Sequence, residues 1–445
     1  MKSIAIVLSA IGLFLLAVSY SQMTAVSALV LGVTLVFFAQ GILSALGMLY
    51  TWSDHTKGYT SRPPKGEKNE KVTFSLLVPA RHEEKVIGDT VKAMTRIDYP
   101  KELYEVLVLV RADDTGTIGA VKKAIQEIGD EEKVKNVNLV VFDGGPINKP
   151  RALNVGLELA QNAFVGVFDA EDEPHPEILS RVEAHIRRKK VDAVQGGVQL
   201  VNVGSRWFTA LNCLEYYYWF KSVLPFYASL GAVPLGGNTV FMRTRAMHAL
   251  GGWDEESLTE DADIGIRLSA AGYKIGMMYD ARLSTLEEAP VTVDGFIKQR
   301  ARWDQGYIQV LLKGDWARIS AWKSQLLTFY LLFQSLFRSV WAVGLVLVPV
   351  SLVLKEVPMW LAILSFLPLQ FLLIQWGMYV IGLRELRKEY GLKFSRMWAV
   401  WVIVLYYPYQ FLLTWAAVRA LGRFVVGSWS WDKTAHVNAH RIALG

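Results

Sequence analysis

Apolar and polar positions divide the chain into three regions. Ser3 to Tyr20 and Thr24 to Leu49 are nearly uncharged runs. Each is long enough to cross a hydrocarbon core of about 30 Å at about 1.5 Å per residue. They predict a transmembrane hairpin over residues 1–52. A cleaved signal peptide is the alternative for the first run, but Lys2 is its one N-terminal charge and a second apolar run follows directly. Residues 53–71 form a Pro/Gly/Lys linker. Apolar and aromatic runs return at Leu326 to Leu354, Val357 to Leu383 and Met397 to Leu421, so residues 318–426 read as a second membrane block and 427–445 as a tail. Between the blocks, residues 72–317 have the composition and length of one globular domain.

Inside that domain, β-rich runs end in polar clusters. Val72 to Pro79 leads into Ala80-Arg-His-Glu83, and Glu105 to Val110 ends at Arg111-Ala-Asp113-Asp114. Asn136 to Phe142 precedes a loop carrying Lys149, and Phe164 to Phe168 stops at Asp169-Ala-Glu171-Asp172. Val191 to Val201 predicts a further strand. Helical patterns separate these runs, which argues for an α/β fold with a mostly parallel sheet and one shared binding edge. At that edge Asp113, Asp169 and Asp172 would gather. Trp207 to Phe226 reads as an aromatic helix, either at the membrane surface or packed in the core. Gly236-Gly237-Asn238 makes a loop that lets a ligand approach backbone. Thr259 is placed to cap a helix whose first turn holds Glu260 and Asp261.

The chemistry suggested by these clusters is that of phosphates and a hard cation. Carboxylates two or three residues apart just past a strand, as in Asp169, Glu171 and Asp172, suit Mg2+ or Mn2+ shared with substrate phosphates. Lys149 opens a helix, where charge and free backbone donors favour a phosphate. Gln299, Arg302 and Trp303 stand at i, i+3 and i+4 and share a helix face that offers a guanidinium fork beside an indole.

Charge and cysteine content narrow the picture further. The apolar share is 52% with 15 Trp, and the net charge is +6. The basic residues crowd Lys57 to Lys71 and Arg384 to Arg396, which places both segments on the cytoplasmic side of a plasma (inner) membrane. This charge therefore speaks of a lipid bilayer, and no nucleic-acid motif is present. Cys213 is the single cysteine, so intrachain disulfides and Cys-based zinc sites are excluded. Arg338 falls within an apolar run. It either lines a polar path inside the bundle or marks where a span begins.

The ordered set Pro79-Ala-Arg-His-Glu83, Asp113-Asp114, Lys149-x-x-Ala-x-Asn154, Asp169-Ala-Glu-Asp172, Thr259-Glu-Asp261 and Gln299-Arg-Ala-Arg302-Trp303 resembles membrane-embedded family-2 glycosyltransferases. That group contains the cellulose, chitin and hyaluronan synthases. The resemblance implies a GT-A-like catalytic domain between membrane helices, a nucleotide-sugar donor (UDP-linked) and a divalent metal. It implies donor contacts from Pro79, Ala80, Glu83, Asp113, Asp114, Lys149 and Arg302, and metal binding by Asp169 with Glu171 or Asp172. Asp261 would be the catalytic base. Gly237, Asn238, Glu260, Gln299 and Trp303 would meet the acceptor, and Trp431, Lys433 and Thr434 in the tail would act as a gate. The expected reaction is inverting, metal-dependent and processive extension of a β-linked polysaccharide. Transfer of one sugar to a polyprenyl phosphate or another lipid is the alternative, and a channel or scaffold with a vestigial fold is a third reading. Arg81-His82 and Asp169-Ala-Glu171 depart from the family's usual aromatic-Asn pair and Asp-x-Asp.

Overall fold

The computed structural model describes residues 24–52, 71–129, 134–354, 358–364 and 367–429. Among them, seven strands form one sheet in the order β3-β2-β1-β4-β7-β5-β8. The strands are β1 (Phe74–Ala80), β2 (Tyr104–Arg111), β3 (Val137–Phe142), β4 (Phe164–Val167), β5 (Ala193–Gly196), β7 (Val240–Arg243) and β8 (Ile275–Met278). β6 (Val198–Leu200) and β9 (Thr285–Glu287) pair separately as a small parallel sheet. β1 runs parallel to both β2 and β4, whereas β7 is antiparallel to β4 and β5.

β1 and β2 are apolar along nearly their whole length because the sheet is covered on both faces. Leu76, Val78, Val106, Val108 and Val110 pack into one core, while Leu77, Leu107, Leu109, Val165 and Val167 pack into the other. Helices α2 (Ile87–Thr95), α3 (Thr115–Ile128) and α5 (Ile178–Lys189) cover the first face, and α4 (Lys149–Leu159) and α6 (Thr209–Tyr218) the second. Strand order reverses between β1 and β4. The crevice beyond their carboxyl ends is the switch point at which open α/β sheets bind ligands.

The expected strand at Val191 to Val201 is divided at Gly197 between the two sheets. A Cβ there would lie 2.5 Å from Ser284 Oγ, so the crossing needs glycine. The expected helix at Trp207 to Phe226 ends its regular turns at Tyr218 and continues through a wider turn over Trp219–Val223. Pro225 follows and cannot bond to the carbonyl four residues back, which favours the widened turn. The helix packs in the core: Tyr217 and Tyr218 are buried against a helix of the C-terminal apolar segment.

The apolar segments form α1 (Ala25–Leu49) and, after α7 (Glu260–Ala270) and α8 (Val293–Lys313), helices α9 (Trp322–Leu354), α10 (Leu367–Glu389), α11 (Trp398–Val404) and α12 (Tyr406–Val425). α1 lies against α10, and α8 against α9 and α12. Among the described residues, Val30–Leu49 is one helix long and apolar enough to cross a membrane, and α11 with α12, bent by 51°, meet that test jointly. The bend falls where Pro408 would meet the carbonyl of Val404. The run Ser3 to Tyr20 lies outside the described residues.

A half-buried polar knot ties the sheet to these helices. Lys221 Nζ lies 3.1 Å from Glu385 and 2.7 Å from Glu389 of α10, and Tyr217 OH donates to both. Tyr279 OH reaches Glu389 and Tyr390 at 3.1 Å. Breaking a fully buried ion pair from one side costs about 3 to 5 kcal/mol, and less where the charge left behind reaches solvent, as Glu385 and Glu389 do. Lys221→Met is therefore expected to lower the unfolding midpoint of the purified protein moderately. The Lys221→Met, Glu385→Gln, Glu389→Gln triple variant should recover most of the loss.

Candidate functional site

The crevice at the switch point opens into a cavity of about 1510 Å³. One end is walled by Pro79 to Glu83 after β1, by Arg111 at the end of β2, and by Asn148 and Lys149 at the start of α4. The middle holds Asp169, Glu171, Gly237, Asn238, Glu260, Asp261 and Arg302. The far end runs along α8 past Gln299, Arg300, Trp303, Asp304 and Tyr307, then between α1, α9, α10 and α12. Most residues expected from the sequence thus share one wall. Asp113, Asp114 and Asp172 do not line it, and Trp431, Lys433 and Thr434 lie outside the described residues.

At the first end, local bonds shape the loops. Asp114 caps α3 by accepting from Thr117 N at 3.1 Å, and it also accepts from His82 N at 2.6 Å. These bonds outweigh the effect of burial and hold its carboxyl below the usual range. They also fix His82 at φ 55°, a conformation that non-glycine residues seldom adopt. Asp114 therefore builds the loop that presents Arg81 and Glu83. Asp113 takes both arms of Arg81, at 2.9 and 3.1 Å, just outside the cavity wall. Asn148 caps α4 by accepting from Arg151 N at 3.0 Å, leaving Lys149 at the helix's first position.

Between Glu171 and Asp172, the two acids face different ways. Asp172 is fully buried, accepting from Asp169 N at 2.6 Å and from Asn238 Nδ2 at 3.0 Å. Burial, with Asp169, Glu287 and Glu171 nearby, raises its carboxyl well above the usual range. It staples the turn and stabilises the loop opposite. Glu171 stands with Asp169 in the cavity wall. Among the described residues, no three His, Cys, Asp or Glu side chains form a complete metal cage. Two hard oxygen donors opening on a cavity nevertheless fit Mg2+ or Mn2+, ions that complete their shell with water and substrate phosphate.

The facing loop is strained into position. Thr239, β-branched, sits at φ 51°, which costs about 1 to 3 kcal/mol unless the surroundings hold it. Its hydroxyl bonds with Thr285 and with Asn238 Oδ1, and Asn238 also donates to Glu287 at 2.8 Å. This brings the Gly237 carbonyl within 2.8 Å of Lys149 Nζ, which also pairs with Asp169. A Cβ at Gly237 would lie 3.1 Å from Asp261 Oδ2 and 3.5 Å from Lys149 Nζ, so the glycine lets the carboxylate and the ammonium stand close.

Asp261 and Glu260 open α7 among these groups. Thr259 does not cap the helix with its side chain as expected, because its hydroxyl packs against Gly306 of α8. Burial raises the Asp261 carboxyl, opposed by the Ala262 N–H bond at 2.7 Å and by Lys149 and Arg302. Burial and Asp261 push Glu260 up to about 7. Burial lowers Arg302, and Glu260 and Asp261 act against that.

Arg300 and Tyr216 were not expected as site residues. Arg300 reaches Glu215 and Asn212 at 2.5 Å and lies 4.9 Å from the Trp303 ring centre, fixing the indole in the wall. The position of Arg300 inside the Gln299 to Trp303 stretch was the available signal. The elevated Glu260 sets the expected pH dependence. The folded chain keeps a proton that the unfolded chain releases near 4.5, so stability should fall as pH rises from about 4.5 to about 7. Urea midpoints measured across that window without added metal test this, and Glu260→Gln should flatten the slope.

Residues 71–306 match the family described as glycosyltransferase like family 2. A β-monoglucosyldiacylglycerol synthase from Synechocystis is 29% identical over 83% of this chain and 76% of its own length. A poly-β-1,6-N-acetyl-D-glucosamine synthase from Staphylococcus epidermidis is 26% identical over 62% of this chain and 64% of its own. A mannosyltransferase from Pyrobaculum calidifontis in complex with GDP-Man and Mn2+ superposes with a TM-score of 0.52 at 18% identity, covering 89% of this chain and 99% of that one. That likeness shows the GT-A-like fold. With the family matching over more than half its length and the fold agreeing, the chain belongs to the family-2 glycosyltransferases.

Proposed function

We propose that the enzyme transfers a sugar from a nucleoside-diphosphate sugar to a hydroxyl of a membrane lipid, by one inverting displacement. The continuity of the cavity, from the phosphate-suited end through the acids to a chamber walled by apolar helices, supports this reading most directly. The likeness to the Synechocystis synthase over most of the chain agrees with a lipid acceptor. α1 and the bent pair α11/α12 would seat the chamber in the bilayer, with the basic Arg384 to Arg396 segment on the cytoplasmic side.

The residues have separable tasks. Asp261 takes the acceptor proton, which requires an approach of about 2.6 to 3.2 Å. Lys149 and Arg302 neutralise the charge that builds on the departing diphosphate. Glu260, its carboxyl pushed up to about 7 by burial and Asp261, keeps its proton more readily than a free glutamate, which favours Asp261 as the charged member of the pair. Asp169 and Glu171 would hold Mg2+ or Mn2+, whose Lewis acidity adds to leaving-group stabilisation. With one base and no enzyme nucleophile assigned, an α-linked donor gives a β-linked product.

A second reading keeps the polysaccharide acceptor. Trp303 in the wall offers a flat stacking surface for a sugar ring, and the staphylococcal relative is named a polymer synthase. Product analysis separates the two: one sugar on lipid supports the first and a ladder of chains the second.

Asp261→Asn should cut nucleoside-diphosphate release by about 10²- to 10⁴-fold with little change in donor affinity. Retained full turnover would remove Asp261 as the base. Glu171→Ala should raise the metal concentration needed for half-activity by about tenfold or more. Asp172→Ala, by contrast, should chiefly lower thermal stability. The reverse pattern would exchange the two assignments.

A further inference from the structure

The far end of the chamber holds its charges in matched pairs. Arg300 and Asp304 stand one turn apart on α8. Arg300 is committed to Glu215, which also accepts from Tyr409 OH at 2.6 Å. Asp304 faces Arg338 of α9 at 3.6 Å and accepts from Ser335 Oγ at 2.6 Å. All four charged groups line the chamber. Arg338 rises from a largely apolar helix, and 32% of its side chain stays accessible. On the same face, Tyr330 and Gln334 sit eight and four residues before it and also line the space. Across from them, Gln375 and Gln410 add neutral hydrogen-bonding groups.

This balance discriminates among headgroups. A phosphate that gives up part of its hydration to enter a helix-walled chamber needs an uncommitted cation. Here each guanidinium already has a carboxylate, and those carboxylates repel a further anion. A hydroxyl suits the same pair, since it can accept from a guanidinium and donate to a carboxylate at once. At the donor end Lys149 and Arg302 stand beside Asp169 and Glu171, and a divalent cation on those two acids would supply the extra positive charge that a diphosphate needs.

We infer that the Arg338–Asp304 pair forms a headgroup subsite for an uncharged, hydroxyl-bearing acceptor, and that it excludes phosphate-bearing lipid carriers. The inference deepens the proposed reading and rests on it. Arg338 orients the acceptor oxygens, and Asp304 both receives their protons in hydrogen bonds and cancels the charge that would attract phosphate.

The test uses the full-length enzyme in phosphatidylcholine vesicles that carry either diacylglycerol or a polyprenyl phosphate, with a donor chosen by nucleotide release. Wild type should glycosylate diacylglycerol and leave the phosphate carrier untouched. Asp304→Asn should shift relative kcat/KM toward the polyprenyl phosphate by about 10- to 100-fold, because Arg338 loses its counter-charge. The Asp304→Asn, Arg338→Gln double variant removes both charges and guards against a folding defect. It should restore exclusion of the phosphate carrier while raising KM for diacylglycerol. Retained nucleotide binding shows that each variant is folded. Equal use of both lipids by wild type, or no shift in folded Asp304→Asn, would overturn the subsite. Extension of a neutral oligosaccharide in place of either lipid would overturn the lipid reading while supporting a subsite for neutral hydroxyls.

Discussion

A single half-buried ammonium holds the site together. Burial works against the charge on Lys149, yet Asp169, Glu260 and Asp261 together raise its proton affinity above that of a free lysine. Without that cation, three carboxylates from two elements would face one another across the crevice, an arrangement whose mutual repulsion the fold would have to absorb. The ammonium also bonds to the Gly237 carbonyl. It thereby fastens the strained loop ahead of β7 to the start of α4 and to the end of β4. Sheet edge, helix terminus and loop converge on one nitrogen.

Much of this arrangement was legible along the chain. Strands buried on both faces read as unbroken apolar runs, so β1, β2 and β4 announced themselves, β3 at the sheet edge was read from its β-branched residues, and the polar clusters after them marked the binding edge. β7 did not. It spans four residues, Val240–Arg243, and runs against its neighbours, so neither length nor alternation sets it apart. The choice between Glu171 and Asp172 was equally hidden. Adjacent residues point in different directions, and the direction depends on how Asp169 N and Asn238 close the turn around Asp172. Arg300 was passed over for a related reason. Its role depends on Glu215 and Tyr409, partners 85 and 109 residues away in sequence.

The two ends of the chamber are built differently. One is made from loops after parallel strands, where backbone donors, Lys149 and the acids meet. The other is made from helix faces, with α8 passing from Arg302 beside the acids to Asp304 beside α9. On the proposed reading these ends take donor and acceptor, and because residues on α8 recur every turn, the spacing between them would be set by helix geometry, about 1.5 Å per residue. Changing the acceptor without disturbing the chemistry then requires only new side chains farther along the same helix.

The knot of Lys221, Glu385, Glu389 and the tyrosines has a practical consequence. Sequence composition changes sharply near residue 318, and a cut there would seem to free a soluble catalytic fragment. Yet α10 shares a hydrophobic core with the sheet's second face, and Tyr217, Tyr218 and Lys221 would lose their partners together. The compositional boundary is therefore not a seam of cooperativity. A truncated chain would expose a buried ammonium and a wall of aromatic rings, inviting aggregation in place of independent folding.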